Sequence, residues 1–286
     1  VDPGDVIITE DPTFLGALIA FDPSQPRYAA VPMDTDGMRM DALETALRDH
    51  PKARMIYTVP DFQNPTGVTL SLERRHRLIE LANAHDVIVL EDTPYRHIRF
   101  AGETLPTLKS LDTQGRVIHL GSFSKVLVPG LRIGWAVAAP VLLEKMALLK
   151  VAADTQTSTL NMAAASLFLD RYDLTAHIDM LRSAYRRKKE VMLDAIRRNF
   201  PQEVTMTDPE GGLFTWATFP AGFDATAFMR DVALPQARVA YVPGATFFPV
   251  HQQANHARIN YSAQPEERIR EGIAALGRAL RGKDRP

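Results

Sequence analysis

Two textures alternate through the first half of this chain, and that alternation limits its possible folds most. Short apolar runs rich in valine and isoleucine recur at Val6–Thr9, Met55–Val59, Val87–Leu90, Val117–Leu120 and Ile133–Ala138. Runs this short and this apolar read as buried strands. Helical patterns lie between several of them. Asp41–Asp49 sets Leu43, Ala46 and Leu47 on one face. Ser71 is placed to cap a helix carrying Glu73 in its first turn and Leu78, Ile79, Leu81 and Ala82 inside. Pro140 stands where a helix carrying Leu143, Met146, Ala147 and Lys150 begins. Strand, helix and strand in turn predict an α/β fold, its mostly parallel central sheet covered by helices.

The texture changes after about Val151. The polar stretch Asp154–Thr159 reads as a turn, and a long helix is expected over Asp173–Phe200. Its apolar positions Ile178, Leu181, Tyr185, Met192 and Ile196 keep one face. The basic cluster Arg186–Lys189 within it reads as a solvated face. Short strands are expected at Leu213–Thr218, Val239–Val242 and Arg258–Tyr261. Two helices go with them, the last starting near Pro265 and showing Ile269, Ile273, Leu276 and Leu280. This describes a smaller α+β unit. The 286 residues suit roughly two domains at about 150 residues each. The expected division is 1–170 for a large domain, and 171–286 for a connecting helix and small C-terminal domain.

Composition removes several functions. Cysteine is absent, which excludes disulfides, thiolate catalysis and cysteine metal sites. The 33 basic and 34 acidic side chains leave a net charge of −1, so nothing marks the chain as a nucleic-acid or membrane-surface binder. No apolar run reaches the roughly 20 residues of a membrane helix. No basic-then-apolar leader opens the chain, so a cytoplasmic protein is expected. No histidine or carboxylate cluster has metal-ligand spacing, and no metal is expected.

Ligands in parallel α/β sheets gather at the carboxyl ends of the strands. Three loops should meet there: Phe62–Gly67 (FQNPTG), Glu91–Tyr95 (EDTPY) and Gly121–Lys125 (GSFSK), the last running on through VLVPGLRIGW. Each alone has a plainer reading. Asn-Pro-Thr-Gly is a turn, Asp92 could cap a helix, and Lys125 and Arg132 could be surface side chains. Together they offer a carboxylate, a lysine flanked by hydroxyls, an arginine seven residues on and an amide. A lysine amine can form a Schiff base with an aldehyde. A carboxylate can keep a pyridine nitrogen protonated, and serines with an arginine can grip a phosphate. Aldehyde, pyridine and phosphate are the three handles of pyridoxal 5′-phosphate.

On these motifs the chain resembles the class I/II aminotransferases of the fold-type I pyridoxal-phosphate family. It looks most like the branch holding 2-aminoadipate aminotransferases and the aminotransferase-like domains of MocR-type regulators. EGGLFTW (210–216), VPGATFF (242–248) and ARINYS (257–262) extend the resemblance over nearly the whole chain. The resemblance implies that Lys125 carries the cofactor, Asp92 pairs with its pyridine nitrogen, and Asn64 and Tyr95 hydrogen-bond its phenolic oxygen. Ser122, Ser124 and Arg132 would hold the phosphate, and Arg258 would fork the substrate α-carboxylate. Without the resemblance, Arg258 reads as a strand-edge arginine in a surface ion pair. Gly211, Gly212, Pro243 and Gly244 read as turn residues, His97 as a helix or turn residue, and His119 and Trp135 as packed. Phe62 and Gln63 could line the pocket.

The resemblance further implies a homodimer with its active site at the subunit interface, acting on an amino acid and a 2-oxo acid. It also implies a segment ahead of Val1, absent from these residues, with a glycine- and serine-containing phosphate loop. The expected activity is amino-group transfer by a ping-pong mechanism. The alternative is a domain of a MocR-type regulator that senses the cofactor or an amino acid. A third possibility keeps the fold and changes the reaction, because the cofactor carries the chemistry.

Overall fold

A computed structural model of the chain describes residues 1–282. Strands β1 (Val6–Asp11), β2 (Arg27–Asp34), β3 (Gly37–Met38), β4 (Met55–Thr58), β5 (Ile88–Asp92), β6 (Val117–Ser122) and β7 (Gly134–Val137) form one seven-stranded sheet. Their order is β3-β2-β1-β4-β5-β6-β7. Pairings from β2 through β6 are parallel, and only the edge strands β3 and β7 run antiparallel to their neighbours. Helices α1 (Leu15–Phe21), α2 (Met40–Asp49), α3 (Leu72–Ala84) and α4 (Leu108–Leu111) fill the connections. Ser71 caps α3 as expected, its hydroxyl accepting from the Arg74 amide at 3.4 Å.

Ile7 and Ile8 show why the strands are continuously apolar. Successive side chains leave opposite faces of a sheet, yet both are 0% exposed. Ile8 lies in one cluster with Leu43 and Leu47 of α2 and Leu78 of α3. Ile7 lies in another with Tyr57 and much of the C-terminal half. Both faces are covered, as a parallel sheet requires.

Helices α5 (Pro140–Asp154), α6 (Thr159–Arg171) and α7 (Leu174–Asn199) follow. Asp173 caps α7, accepting from the Thr175 and Ala176 amides. Strands β8 (Thr205–Met206), β9 (Phe214–Thr218), β10 (Val242–Pro243) and β11 (His256–Asn260) make an antiparallel sheet ordered β10-β11-β9-β8. Helix α8 (Ala225–Phe228), a π-helical turn over Met229–Ala237 and α9 (Glu266–Gly282) complete it. Ile269, Ile273 and Leu276 of α9 share a core with Met192 and Ile196 of α7.

Four expectations need correction. The strand expected at Val239–Val242 shrinks to β10, because Arg238 is left-handed (φ 55°) and the Val239 amide bonds back to Ala233. Helix α6 was not expected. It buries only Ala165, so its apolar residues show no one-sided pattern. The basic cluster is no purely solvated face: Lys188 donates to the Ser262 carbonyl and Lys189 to Asp208, both at 2.7 Å. Trp135, expected to pack, is 39% exposed on β7.

Helix α5 has no buried residue, although most of its length is apolar. Leu149 is 71% exposed, and Leu160 of α6 is 77% exposed. Among the described residues no helix is long and apolar enough to cross a membrane.

Candidate active site

The loops after β4, β5 and β6 open on one edge of the sheet. They carry Asn64, Asp92 with Tyr95, and Ser122 to Lys125 respectively. The β6–β7 pairing sets Ser122 opposite Gly134, which returns Arg132 to the start of the lysine loop.

Asn64 ties three of the expected residues together. Its Nδ2 donates to the Tyr95 hydroxyl at 3.1 Å, and its Oδ1 accepts from Arg258 Nη1 at 2.8 Å. Arg258 comes from β11, 194 positions along the chain. Its guanidinium carbon lies 4.2 Å from the Phe214 ring centroid and 5.1 Å from that of Phe247. Aromatic faces hold a cation in place without neutralising it. Arg258 Nε is buried and has no hydrogen-bond partner among the described residues. The surface ion pair of the plainer reading is not seen. Burial pushes the Tyr95 phenol up to about 12, against the Asn64 hydrogen bond and the Arg258 charge.

Asp92 Oδ2 accepts from the Tyr57 hydroxyl at 2.9 Å. Burial raises this carboxylate above its ordinary range, opposed by that hydrogen bond and by His119. Lys125 is half-buried, and no hydrogen bond to its amine is seen among the described residues. Burial lowers its amine below the ordinary lysine value, and the Arg258 and Arg132 charges push the same way. More of it is therefore neutral, the form that attacks a carbonyl or takes a proton. Ser122 Oγ accepts from the Ser124 amide at 3.1 Å. Arg132 is exposed and left-handed (φ 53°), with only a 3.4 Å contact to the Pro129 carbonyl. No hydrogen bond joins Lys125 to Asp92, or Arg132 to either serine, among the described residues. The set offers a cation for a carboxylate, a carboxylate for a cation, a partly neutral amine and a serine–arginine cluster.

The family model for aminotransferase class I and II matches residues 1–276. The chain belongs to this family. It is 41% identical to aromatic-amino-acid aminotransferase 1 of Thermococcus litoralis, over 98% of this chain and 68% of that protein. The 2-aminoadipate transaminase of Thermus thermophilus is 38% identical, over 99% of this chain and 71% of the relative. Kynurenine aminotransferase of Pyrococcus horikoshii, solved in complex with PMP, superposes with a TM-score of 0.96 at 39% identity. That match covers 100% of this chain and 71% of the other. Helix-turn-helix regulators of Escherichia coli match at 31%, and this chain spans 58–59% of them.

One residue that shapes this aminotransferase site, Arg75, was not singled out by sequence. Arg75 is fully buried in α3 and donates to the carbonyls of Pro60, Leu70 and Pro106 and to Asp61. It thereby pins both ends of the loop carrying Asn64. Nothing in a helical pattern distinguishes it from a surface arginine. Gln63 turns away from the pocket toward Glu10 and Thr66. Phe62 is buried, and its ring fills the space beside Gly211. A Cβ there would meet that ring and the Ile98 carbonyl at 2.3 Å, so close packing, and not the expected turn, calls for glycine at 211, which pairs with Arg99 in an isolated bridge. His97 lies in a turn, and His119 bonds Glu91 at 3.0 Å. Among the described residues no histidine and carboxylate cluster could hold a metal ion.

Glu10, at the end of β1, accepts from Thr58 Oγ1 (2.6 Å), Gln63 Nε2 (2.9 Å) and the Val59 amide (3.2 Å). Burial outweighs those donors and raises the carboxyl from 4.5 to about 7. A raised carboxyl means that the folded state holds the proton more tightly than the unfolded chain. This contribution is full below pH 4.5 and is lost as pH rises through about 7. At about 1.4 kcal/mol per unit it amounts to about 3 kcal/mol. Urea unfolding of wild type and Glu10→Gln across pH 4 to 8 should show the difference between them changing with that slope. A pH-independent difference would refute it.

Proposed function

We propose that this aminotransferase holds pyridoxal 5′-phosphate with Lys125, Asp92, Asn64, Tyr95, Ser122, Ser124 and Arg132, and takes the substrate α-carboxylate on Arg258. The observation that carries the reading is Asn64 bonded at once to Tyr95 and Arg258, while the buried Arg258 Nε lacks a partner. A buried unpaired donor is costly, and a carboxylate ligand would satisfy it. The donor set also fits the cofactor, with a carboxylate for a ring cation, an amine for an aldehyde, and hydroxyls with an arginine for a phosphate.

When bound, the cofactor supplies an aldehyde for amine exchange and a ring that accepts the electrons left as the Cα proton departs. Asp92 keeps a positive charge on the ring nitrogen. Asn64 and Tyr95 orient the phenolic oxygen. Lys125 Nζ, lowered by burial, would be the base placed to take the substrate Cα proton and to hold it for return. Arg258 fixes the carboxylate in both half-reactions, so that Cα presents the same bond to Lys125 each time.

The donors we infer are α-amino acids with an aromatic or 2-aminoadipate-like side chain, following the relatives. The test is a product assay with such a panel and 2-oxoglutarate. Saturable cofactor binding without any oxo-acid product would favour the sensing alternative. We assign residues 1–170 to the large domain and 171–286 to the small one; residues 283–286 of that range lie outside the described residues. The seven-stranded sheet ending at Val137 and the four-stranded sheet beginning at Thr205 support this division.

We further infer a cytoplasmic homodimer. Its support is the apolar surface of α5 and α6, since large exposed apolar patches mark interaction sites. Sedimentation should give twice the monomer mass at micromolar concentration, and Leu149→Glu with Leu160→Glu should shift it toward monomer. An active wild-type monomer would overturn the inference.

A further inference from the structure

We propose that Tyr57 is a positioning residue that holds one oxygen of Asp92 and leaves the other for the cofactor. The proposal rests on the reading of Asp92 given above and adds a residue to it.

Register places the pair. Tyr57 on β4 stands opposite Leu90 on β5, and Asp92 lies two residues further on. Residues two apart share a face, so Tyr57 and Asp92 are diagonal neighbours at the carboxyl edge. The Tyr57 ring is buried and meets the Phe21 ring edge-on, with centroids 5.5 Å apart. Packing on that side fixes the phenol, whose hydroxyl lies 2.9 Å from Asp92 Oδ2.

The other polar groups around Asp92 are already engaged. Glu10, from β1, is held by Thr58, Val59 and Gln63. His119, from β6, bonds Glu91 at 3.0 Å and Thr93 at 3.3 Å. The Tyr95 hydroxyl accepts from Asn64. Tyr57 is therefore the one hydrogen-bond donor to Asp92 among the described residues. A half-buried carboxylate with a single fixed donor has one defined orientation, and its second oxygen is free for a cation. Without that donor the carboxylate rotates more freely and binds its own proton more tightly.

The first measurement uses cofactor-free protein, with aspartate labelled by 13C at the carboxyl and Asp92→Asn assigning the signal. Tyr57→Phe keeps the ring and its contact with Phe21, and removes only the hydroxyl. The Asp92 titration midpoint should then rise by about one unit, tenfold in proton affinity. Tyr57 replaced by 3-fluorotyrosine, a stronger donor of nearly the same size, should move it down. The second measurement follows the ring 15N signal of bound, labelled pyridoxal phosphate. Tyr57→Phe should draw the shared proton from the ring nitrogen toward Asp92, seen as a changed ring 15N signal at constant pH, and lower kcat about tenfold, with KM little changed.

The outcomes separate the two claims. If Asp92→Asn leaves the ring nitrogen as in wild type, the cofactor role of Asp92 fails, and this proposal with it. If Asp92→Asn changes the ring signal while Tyr57→Phe moves neither that signal nor the Asp92 midpoint, only the role of Tyr57 is overturned.

Discussion

Lys125→Ala is expected to keep the fold and lose transamination. A proton-transfer group in position contributes roughly 10²- to 10⁴-fold, and the proposed role of this lysine includes the bond to the cofactor, so the loss should exceed that range. The fold should survive for reasons visible in the structure. Lys125 is half-buried, and no hydrogen bond holds its amine, so its removal strands no partner. Its charge is repelled by Arg258 and Arg132, and deleting it relieves that repulsion. Borohydride reduction of the loaded protein followed by peptide mapping should place the pyridoxyl mass on Lys125 and show none in the variant. A label on Lys109 or Lys150 would sink the assignment. The lowered amine also sets a pH dependence. Capture of the cofactor should speed up as pH rises and level off below the midpoint of an ordinary lysine. Arg258→Gln removes one of the two positive neighbours and should move that plateau to higher pH.

Where the sequence was legible, a local pattern reported a local cause. The strand at Val6 is apolar because both its faces are covered, Ile7 on one side and Ile8 on the other. Ser71 and Asp173 cap helices because their side chains reach amides two or three residues away. The unrecognised elements follow the same logic. Strand β2 contains Pro32, which weakens any strand pattern, and the sheet tolerates it near one edge, next to the short β3. Helix α1 has seven residues, too few to show a period.

The candidate site was legible in which residues its loops carry and not in their contacts. Lys125, Asp92 and Asn64 follow strands, and topology alone sends them to one edge. The bond between Asn64 and Arg258 joins two sheets, and no spacing in the sequence encodes it. Tyr57 was hidden for another reason. In a buried strand an aromatic residue counts as core, and its hydroxyl gains meaning only when β5 lies beside it. The lysines of α7 were misread because a charge run shows nothing of the carbonyl or carboxylate that meets it.

Arg258→Ala should separate substrate recognition from cofactor binding. Nη1 is committed to Asn64, and the guanidinium carbon lies against the Phe214 and Phe247 rings, which leaves Nε and Nη2 for a ligand. Two charge-assisted hydrogen bonds to a carboxylate contribute about 1.5–3 kcal/mol each. At about 1.4 kcal/mol per factor of ten, amino acids and oxo acids should lose roughly two to four powers of ten in kcat/KM. Amines that lack a carboxylate should be affected far less. Cofactor affinity should fall little, because the phosphate and ring contacts we propose come from the loops after β4, β5 and β6. Arg258→Lys should recover only part of the loss, since a lysine presents a point charge and cannot fork a carboxylate or stack on the Phe214 and Phe247 rings as a planar guanidinium does. Loss of cofactor along with activity, or an equal penalty on carboxylate-free amines, would falsify the substrate role. Arg258 would then act through Asn64, holding Tyr95 and the turn in place.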